Sequence, residues 1–286
     1  MSSLPKQSDS QLSEDQRISW ENDGFIVLRK FFDTSVVDEI NELVDTQWAG
    51  RNNSKNKLVI DAFLNSEKYR RMLFKDAPDE ARNSAYKLND LYLESSKIRE
   101  VILDETLCGM LSELLTGTPL VCNSLNFEYG SEQDKHIDSF YMTPRIRNRL
   151  AATWIALDSI GEDNGPVRYY PGSHKIPVFS HFEDQSKSIE EGMLEFQNFM
   201  EEELEQREIK PVSFTAEPGD VLIWHAQLLH GGAPMINKEL TRKSLVTHYF
   251  CKEDYRRRFW RIRKTNDSGY YYSRAHQKTE SSSAQN

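Results

Sequence analysis

Leu120-Val121-Cys122-Asn123-Ser124-Leu125-Asn126-Phe127-Glu128-Tyr129 opens a change of character in the chain. After Pro119 the sequence falls into short apolar runs: 120–129, Leu150 to Leu157, Val167 to Tyr170, Val212 to Thr215, Val221 to Trp224 and Ser244 to Phe250. Asn164-Gly165-Pro166 and Pro171-Gly172-Ser173 punctuate them, and runs of this length bounded by turn residues read as strands. Upstream the pattern is mostly helical. A short strand, Gly24 to Leu28, follows a turn at Asn22-Asp23-Gly24. Asp33 or Thr34 then caps a helix through Val37, Ile40 and Leu43 to about Trp48, apolar at helical spacing. Further helices are expected from Ser66 to Phe74 and from Ser95 to Leu115. Helices first and many short strands later predict a mainly β fold, a sandwich with flanking helices.

One segment interrupts the strands. Between His181 and Glu208 there are ten acids against two bases, Lys187 and Arg207. Met193, Phe196, Met200 and Leu204 recur at three- and four-residue intervals, so an amphipathic helix is expected, either a buttress on the sandwich or a lid. The organisation is one domain over 1–270 with this insert at about 181–208, and a Ser- and Gln-rich tail, 271–286, expected to be disordered. Met1 to Asp15 is polar and reads as a frayed start, not a signal peptide.

Composition narrows the function. Hydrophobic residues at 38% and charged residues at 28% suit a globular enzyme. A net charge of -9 argues against nucleic acid as a partner, and no apolar run is long enough for an integral membrane segment. Three widely spaced cysteines, Cys108, Cys122 and Cys251, suit a reduced compartment, so the protein is expected to be cytoplasmic. The oligomeric state is left open.

The chemistry lies in His136-Ile137-Asp138 and in Gly219-Asp220-Val221-Leu222-Ile223-Trp224-His225-Ala226-Gln227-Leu228-Leu229-His230-Gly231-Gly232. In extended backbone, residues two apart share a face, so His136 and Asp138 converge while Ile137 turns away. Two histidines and a carboxylate on one side of a metal leave the other positions open, the arrangement of non-haem Fe(II) oxygenases. Twelve residues past His230, Arg242 opens the strand Arg242-Lys243-Ser244-Leu245-Val246-Thr247-His248-Tyr249-Phe250. Alternation puts Arg242 and Ser244 on one face, where a guanidinium and a hydroxyl can grip a carboxylate.

These residues resemble the phytanoyl-CoA dioxygenase family of Fe(II)- and 2-oxoglutarate-dependent oxygenases. The likeness rests on His136-Ile137-Asp138, Trp154-Ile155-Ala156-Leu157-Asp158, Asp163-Asn164-Gly165-Pro166, Pro171-Gly172-Ser173-His174, Gly219-Asp220-Val221, His230-Gly231 and Arg242-Lys243-Ser244, in that order. It runs from Asp23-Gly24-Phe25 to about Phe250. The resemblance implies a double-stranded β-helix (jelly-roll, cupin-like) core and iron held by His136, Asp138 and His230. It implies 2-oxoglutarate held by Arg242 and Ser244, with Trp154, Leu125 and Lys87 lining the cosubstrate pocket. Dioxygen would be the second cosubstrate and a small molecule the substrate, hydroxylated at an unactivated C–H bond. Relatives often carry Gln where this chain has Ile137, and substrate identity does not carry over.

Several residues compete or stand apart. His225 is a rival to His230, and the glycine after His230 favours the latter because it lets backbone pass close to the site. His174 reads as a turn residue, His248 as a satisfied core histidine, and Asp158 and Asp163 as turn caps. The basic cluster Arg256 to Lys264 is either a solvated or internally paired face or a dock for an anionic substrate. A non-catalytic jelly-roll binding module and a non-redox cupin-type metalloenzyme are the alternatives, and neither has a use for Arg242.

Overall fold

Ser13 and Gln16 exchange side-chain and backbone hydrogen bonds, a capping box that starts helix α1 (Glu14–Asp23). The computed structural model describes residues 11–53, 55, 57–64, 69–177, 179, 189–265 and 269–279. The start is thus ordered from residue 11 onward: Leu12 is buried and its amide donates to Glu113. α1 ends on Gly24, whose φ of +83° suits glycine, and the chain enters β1 (Phe25–Leu28) at once.

α2 (Thr34–Gly50) buries Val37, Ile40 and Trp48, as its spacing predicts. The helix expected at Ser66 to Phe74 is not formed. Residues 65–68 lie outside the described residues, and β3 (Arg70–Leu73) pairs with β2 (Val59–Ala62) before a single 3-10 turn at Phe74–Asp76. The cause is tertiary: Arg71 makes a two-pronged contact with Asp61 across the strand pair, and Phe74 packs on Trp48. β4 (Tyr86–Asn89) follows on the other side of β2. The helix expected over Ser95 to Leu115 is two, α3 (Ser96–Ile102) and α4 (Glu105–Leu114), because Asp104 accepts from the Leu107 amide and caps a new start.

The strands come next: β5 (Pro119–Phe127), β6 (Leu150–Ala156) and β7 (Val167–Tyr169). After α5 (Ile189–Gln206) lie β8 (Val212–Phe214), β9 (Val221–His225), β10 (His230–Gly232) and β11 (Ser244–Cys251). β12 (Ile262–Lys264) and β13 (Tyr270–Tyr272) close the chain. The main sheet runs β1-β9-β6-β11-β5-β4-β2-β3, with β13 alongside β5, and a small sheet runs β10-β7-β8. Trp154, Leu222, Trp224 and Val246 of the main sheet meet Val167, Tyr169 and Phe214 of the small one in one apolar layer. On its other face the main sheet packs on α2, α3 and α4 through Ile40, Leu107, Ile155 and Tyr249. This is the mainly antiparallel, jelly-roll core that the sequence predicts.

The end of the chain departs from the expected disorder. Tyr270–Tyr272 forms a strand, and Arg274, His276 and Gln277 contact Asp90, Glu94 and Asn89. Residues 280–286 lie outside the described ones. α5 is the amphipathic helix expected in the insert, and 181–188 lie outside the described residues. Phe196, Met200 and Leu204 are buried against Ile137, Phe140, Ile176 and Leu229. No helix among the described residues is long and apolar enough to cross a membrane.

Candidate metal centre

His136 and His230 face each other as a cross-strand pair. The His136 amide donates to the His230 carbonyl at 2.9 Å and the His230 amide returns the bond at 3.0 Å, which brings the rings to a centroid distance of 4.5 Å. The Ser173 hydroxyl holds the segment just before, accepting from the Leu229 amide at 2.9 Å. Gly231 and Gly232 are required by the crossing of residues 131–135. A Cβ on Gly231 would stand 2.8 Å from the Gln133 carbonyl. Ile137 points away from the rings into the apolar layer under α5. The substitution of Ile for the Gln common in relatives therefore bears on helix packing rather than on the metal side.

Asp138 completes the group. One ligand atom from each of His136, Asp138 and His230 lies within 4.8 Å of the others, close enough to hold one metal ion. Its Oδ1 is 3.5 Å from His230 Nε2 and 3.9 Å from His136 Nε2. Its Oδ2 is engaged elsewhere: the Trp224 indole N–H donates to it at 2.6 Å, and His248 Nε2 stands 3.4 Å away. The carboxylate is thus oriented so that one oxygen faces the histidines. Each histidine is oriented in the same manner. His136 Nδ1 lies 2.7 Å from the Asp134 carbonyl and His230 Nδ1 2.9 Å from that of Leu228. A carbonyl only accepts, so both Nδ1 atoms carry the proton and both Nε2 lone pairs are free for a metal.

The electrostatics agree. Burial, and then the neighbouring His230, hold the His136 imidazole down to about 3, so it is neutral at physiological pH. Burial pushes the Asp138 carboxyl up, but His230 and then His248 outweigh it, and the group lies below the ordinary carboxylate range. A neutral imidazole and an ionised carboxylate are what a divalent ion of borderline hardness binds.

The same three residues line a cavity of about 70 Å³ together with Leu125, Trp154 and Arg242. Arg242 is 2% exposed, yet no ion pair to it occurs among the described residues and its Nε has no hydrogen-bond partner. Its guanidinium lies over the rings of Phe127 and Trp154 at 5.6 and 5.9 Å. Burial pulls it down to about 10. Ser244 Oγ and Trp154 Nε1 are likewise buried without partners. Buried polar atoms are rarely left unpaired; Arg242 and Trp154 line the cavity, with Ser244 two residues along from Arg242, and the buried cation marks a place for a polar, negatively charged guest.

The backbone before Arg242 is fixed by the Asn164 side chain, which donates to the Ser159 and Thr241 carbonyls and accepts from the Gly161 amide. Asp220 is similarly structural, accepting from Arg29, the Lys30 amide and the Glu217 amide. Asp158 accepts from Thr241 and Ser159, and the Asp163 carbonyl from the Ile236 and Asn237 amides, as turn residues.

Lys87 does not line the cavity; its Nζ is 3.3 Å from Oε1 of Gln133, which does. His225 lies apart from the metal group, packed edge-on to Trp20 at 5.5 Å and accepting from the Gln227 amide. His174 contacts the Glu21 carbonyl and the Gly24 turn. His248 is not a plain core histidine, since it lines the cavity beside Asp138. Trp224 and Ser173 carry positioning roles that sequence reasoning did not assign. The basic cluster begins in the 3-10 segment Lys252–Arg261, and its side chains 256–260 lie outside the described residues.

Comparison with known proteins places these features in context. The family profile described as phytanoyl-CoA dioxygenase (PhyH) matches residues 20–244. A phytanoyl-CoA dioxygenase domain-containing protein 1 homolog of Dictyostelium discoideum is 24% identical over 272 residues, covering 85% of this chain and 92% of that protein. A homolog of the same description from Caenorhabditis elegans is 24% identical over 188 residues, 56% of this chain and 65% of that one. Among solved structures, the 2-oxoglutarate-dependent carbocyclase SnoK of nogalamycin biosynthesis superposes with a TM-score of 0.64 at 13% identity, covering 87% of each chain. EctD from S. alaskensis with bound Fe gives 0.61 at 18% identity, covering 87% of this chain and 80% of that one. At such identities these structures bear on the fold alone.

Proposed function

This chain belongs to the phytanoyl-CoA dioxygenase family, and from that premise we propose that it is an Fe(II)- and 2-oxoglutarate-dependent dioxygenase that hydroxylates a C–H bond of a small molecule. His136, Asp138 and His230 would hold the iron through the two Nε2 atoms and Oδ1. Arg242 and Ser244 would hold the distal carboxylate of 2-oxoglutarate, beside Trp154 and Leu125, with Lys87 acting through Gln133. Bound Fe(II), with 2-oxoglutarate and dioxygen, supplies the oxidising power that the chain's own side chains lack. The protein orients these groups and keeps water from them with the apolar layer between the sheets.

The observation that carries the reading is the buried Arg242, which has no ion pair among the described residues and shares a cavity with the three metal-ligand candidates. A binding module or a hydrolytic metalloenzyme gives that cation nothing to do. Anaerobic addition of Fe(II) and 2-oxoglutarate tests the assignment through the absorption band expected at about 500 nm for a keto acid chelated to such a site. His230→Ala should abolish the band and His225→Ala should keep it. Succinate release from 2-oxoglutarate under air should follow the same pattern, and the reverse pattern would overturn the ligand set.

A further inference from the structure

Arg242 borders the cavity, but two residues that lie close to it, Gly130 and Met235, do not. A Cβ on Gly130 would stand 3.6 Å from Arg242 Nε, 3.1 Å from Met235 Cγ and 3.4 Å from Met235 Sδ. Gly130 therefore leaves room for a thioether to pack beside the guanidinium from outside the cavity. Met235 is buried and held on several sides. Its Sδ accepts from the Gly130 amide at 3.1 Å, and its own amide donates to Glu132 Oε1 at 3.2 Å. Its Cγ occupies the space beside Gly165, where a Cβ would meet it at 2.9 Å. Asn164 pairs with Met235 as an isolated bridge, and its side chain donates to the Thr241 carbonyl at 2.7 Å. One turn thus fixes both Met235 and the backbone that leads into Arg242.

We propose that Met235 is a positioning residue that selects the length of the keto diacid, by limiting how far Arg242 can withdraw from His136, Asp138 and His230. The inference rests on the reading of Arg242 as the partner of the cosubstrate's distal carboxylate. A diacid chelating a metal through its keto acid end carries its other carboxylate at a distance set by its carbon chain. The guanidinium must stand at that distance to make two parallel hydrogen bonds. The cavity is only about 70 Å³, so one more methylene is accommodated only if the cation retreats. The arginine stem is flexible enough to follow a longer ligand by itself. What stops it is the packed thioether, wedged between two glycines where it cannot swing away as an exposed side chain would. A packed wall of this kind separates ligands that differ by one methylene by about 10–200-fold.

Anaerobic titration of the full-length Fe(II) protein with 2-oxoglutarate and with 2-oxoadipate, one methylene longer, reads the selection as a ratio of two Kd values. The chelate band supplies both, and no turnover is involved. The wild type should favour 2-oxoglutarate about tenfold or more. Met235→Ala should lower that preference about tenfold, chiefly through tighter binding of 2-oxoadipate. Met235→Leu, of similar volume, should keep it. Gly130→Ala fills the space that Met235→Ala empties, so it should raise the preference. A general loss of packing would weaken both diacids together and leave the ratio where it was. An unchanged ratio in a folded Met235→Ala overturns the proposal, as does a lowered one in Gly130→Ala. If Met235→Ala does not fold, Gly130→Ala decides: a raised ratio supports the proposal and an unchanged one overturns it. A wild type that binds both diacids equally overturns the length selection and leaves Arg242 as their partner. A wild type that gives the band with neither overturns the reading of the site itself.

Discussion

Arg242→Met should make the ligand-free protein more stable and at the same time abolish its response to 2-oxoglutarate. The guanidinium is 2% exposed and lacks an ion pair among the described residues. Its proton affinity is depressed from 12.5 to about 10. At 1.36 kcal/mol per unit, the charge costs the empty fold about 3 kcal/mol at neutral pH, where it is held in both the folded and unfolded chain. Met keeps most of the apolar stem that lies over Phe127 and Trp154 and removes the charge. For a domain of this size the gain corresponds to a rise in Tm of about 5–10 °C. Loss of a buried, two-pronged partner for a carboxylate costs about 2–5 kcal/mol, a fall in 2-oxoglutarate affinity of roughly 30-fold or more. Thermal melting with Fe(II), with and without millimolar 2-oxoglutarate, reads both effects. The wild type should gain about 2–3 kcal/mol from ligand at about one hundred times its Kd, and the variant should start higher and not move. A variant that melts lower than wild type without ligand, or still responds to 2-oxoglutarate, refutes the view of Arg242 as a cation held unpaired for a guest.

Other outcomes follow from the same geometry. Trp224→Phe removes the indole N–H from Asp138 Oδ2 while keeping an aromatic ring, so Fe(II) affinity should fall about tenfold with little change in Tm; equal affinity would refute the orienting role. Burial, and then His174, hold His225 down to about 4. Its neutral form is therefore the folded one, and stability present above about 6.5 should be lost as pH falls from there towards about 4. His225→Gln should flatten that acid limb in Tm against pH; an unchanged limb refutes it. Phe196→Ala on α5 opens a buried hole against Phe140 and should cost about 3–5 kcal/mol. Because Ile137 and Leu229 share that layer, Fe(II) affinity should fall with it. Normal metal binding in a destabilised variant would leave α5 as a buttress only.

The strands and the metal group were legible because each depends on local order. Alternation places His136 and Asp138 together, and the six strands from 120 to 250 lie within a residue or two of their expected limits. What failed was set by distant partners. Arg70–Leu73 carries no strong strand pattern, and it is a strand because Asp61 and Trp48 meet Arg71 and Phe74 from elsewhere in the chain. The tail looked disordered by composition, yet Arg274 is ordered by the buried charge of Asp90, 184 residues away. α1 was missed although Ser13-x-x-Gln16 carries a capping signal.

The roles of Trp224 and His248 were hidden for a related reason. Period-two alternation says which residues share a face on one strand, but not which rows meet on neighbouring strands. Here the register aligns Trp224 of β9, Ala152 of β6, His248 of β11 and Asn123 of β5 in a single row. The two ring systems stand on either side of the smallest side chain in the row, and the Trp224 indole N–H and the His248 Nε2 both face Asp138 Oδ2, at 2.6 and 3.4 Å. A larger residue at Ala152 would fill the gap between them. A slip of one residue in any of the pairings would turn one member of the row to the opposite face, towards α2–α4. The candidate metal centre is therefore specified twice: once by His136 and Asp138, which the sequence displays two residues apart, and once by a four-strand register that only the folded sheet assembles.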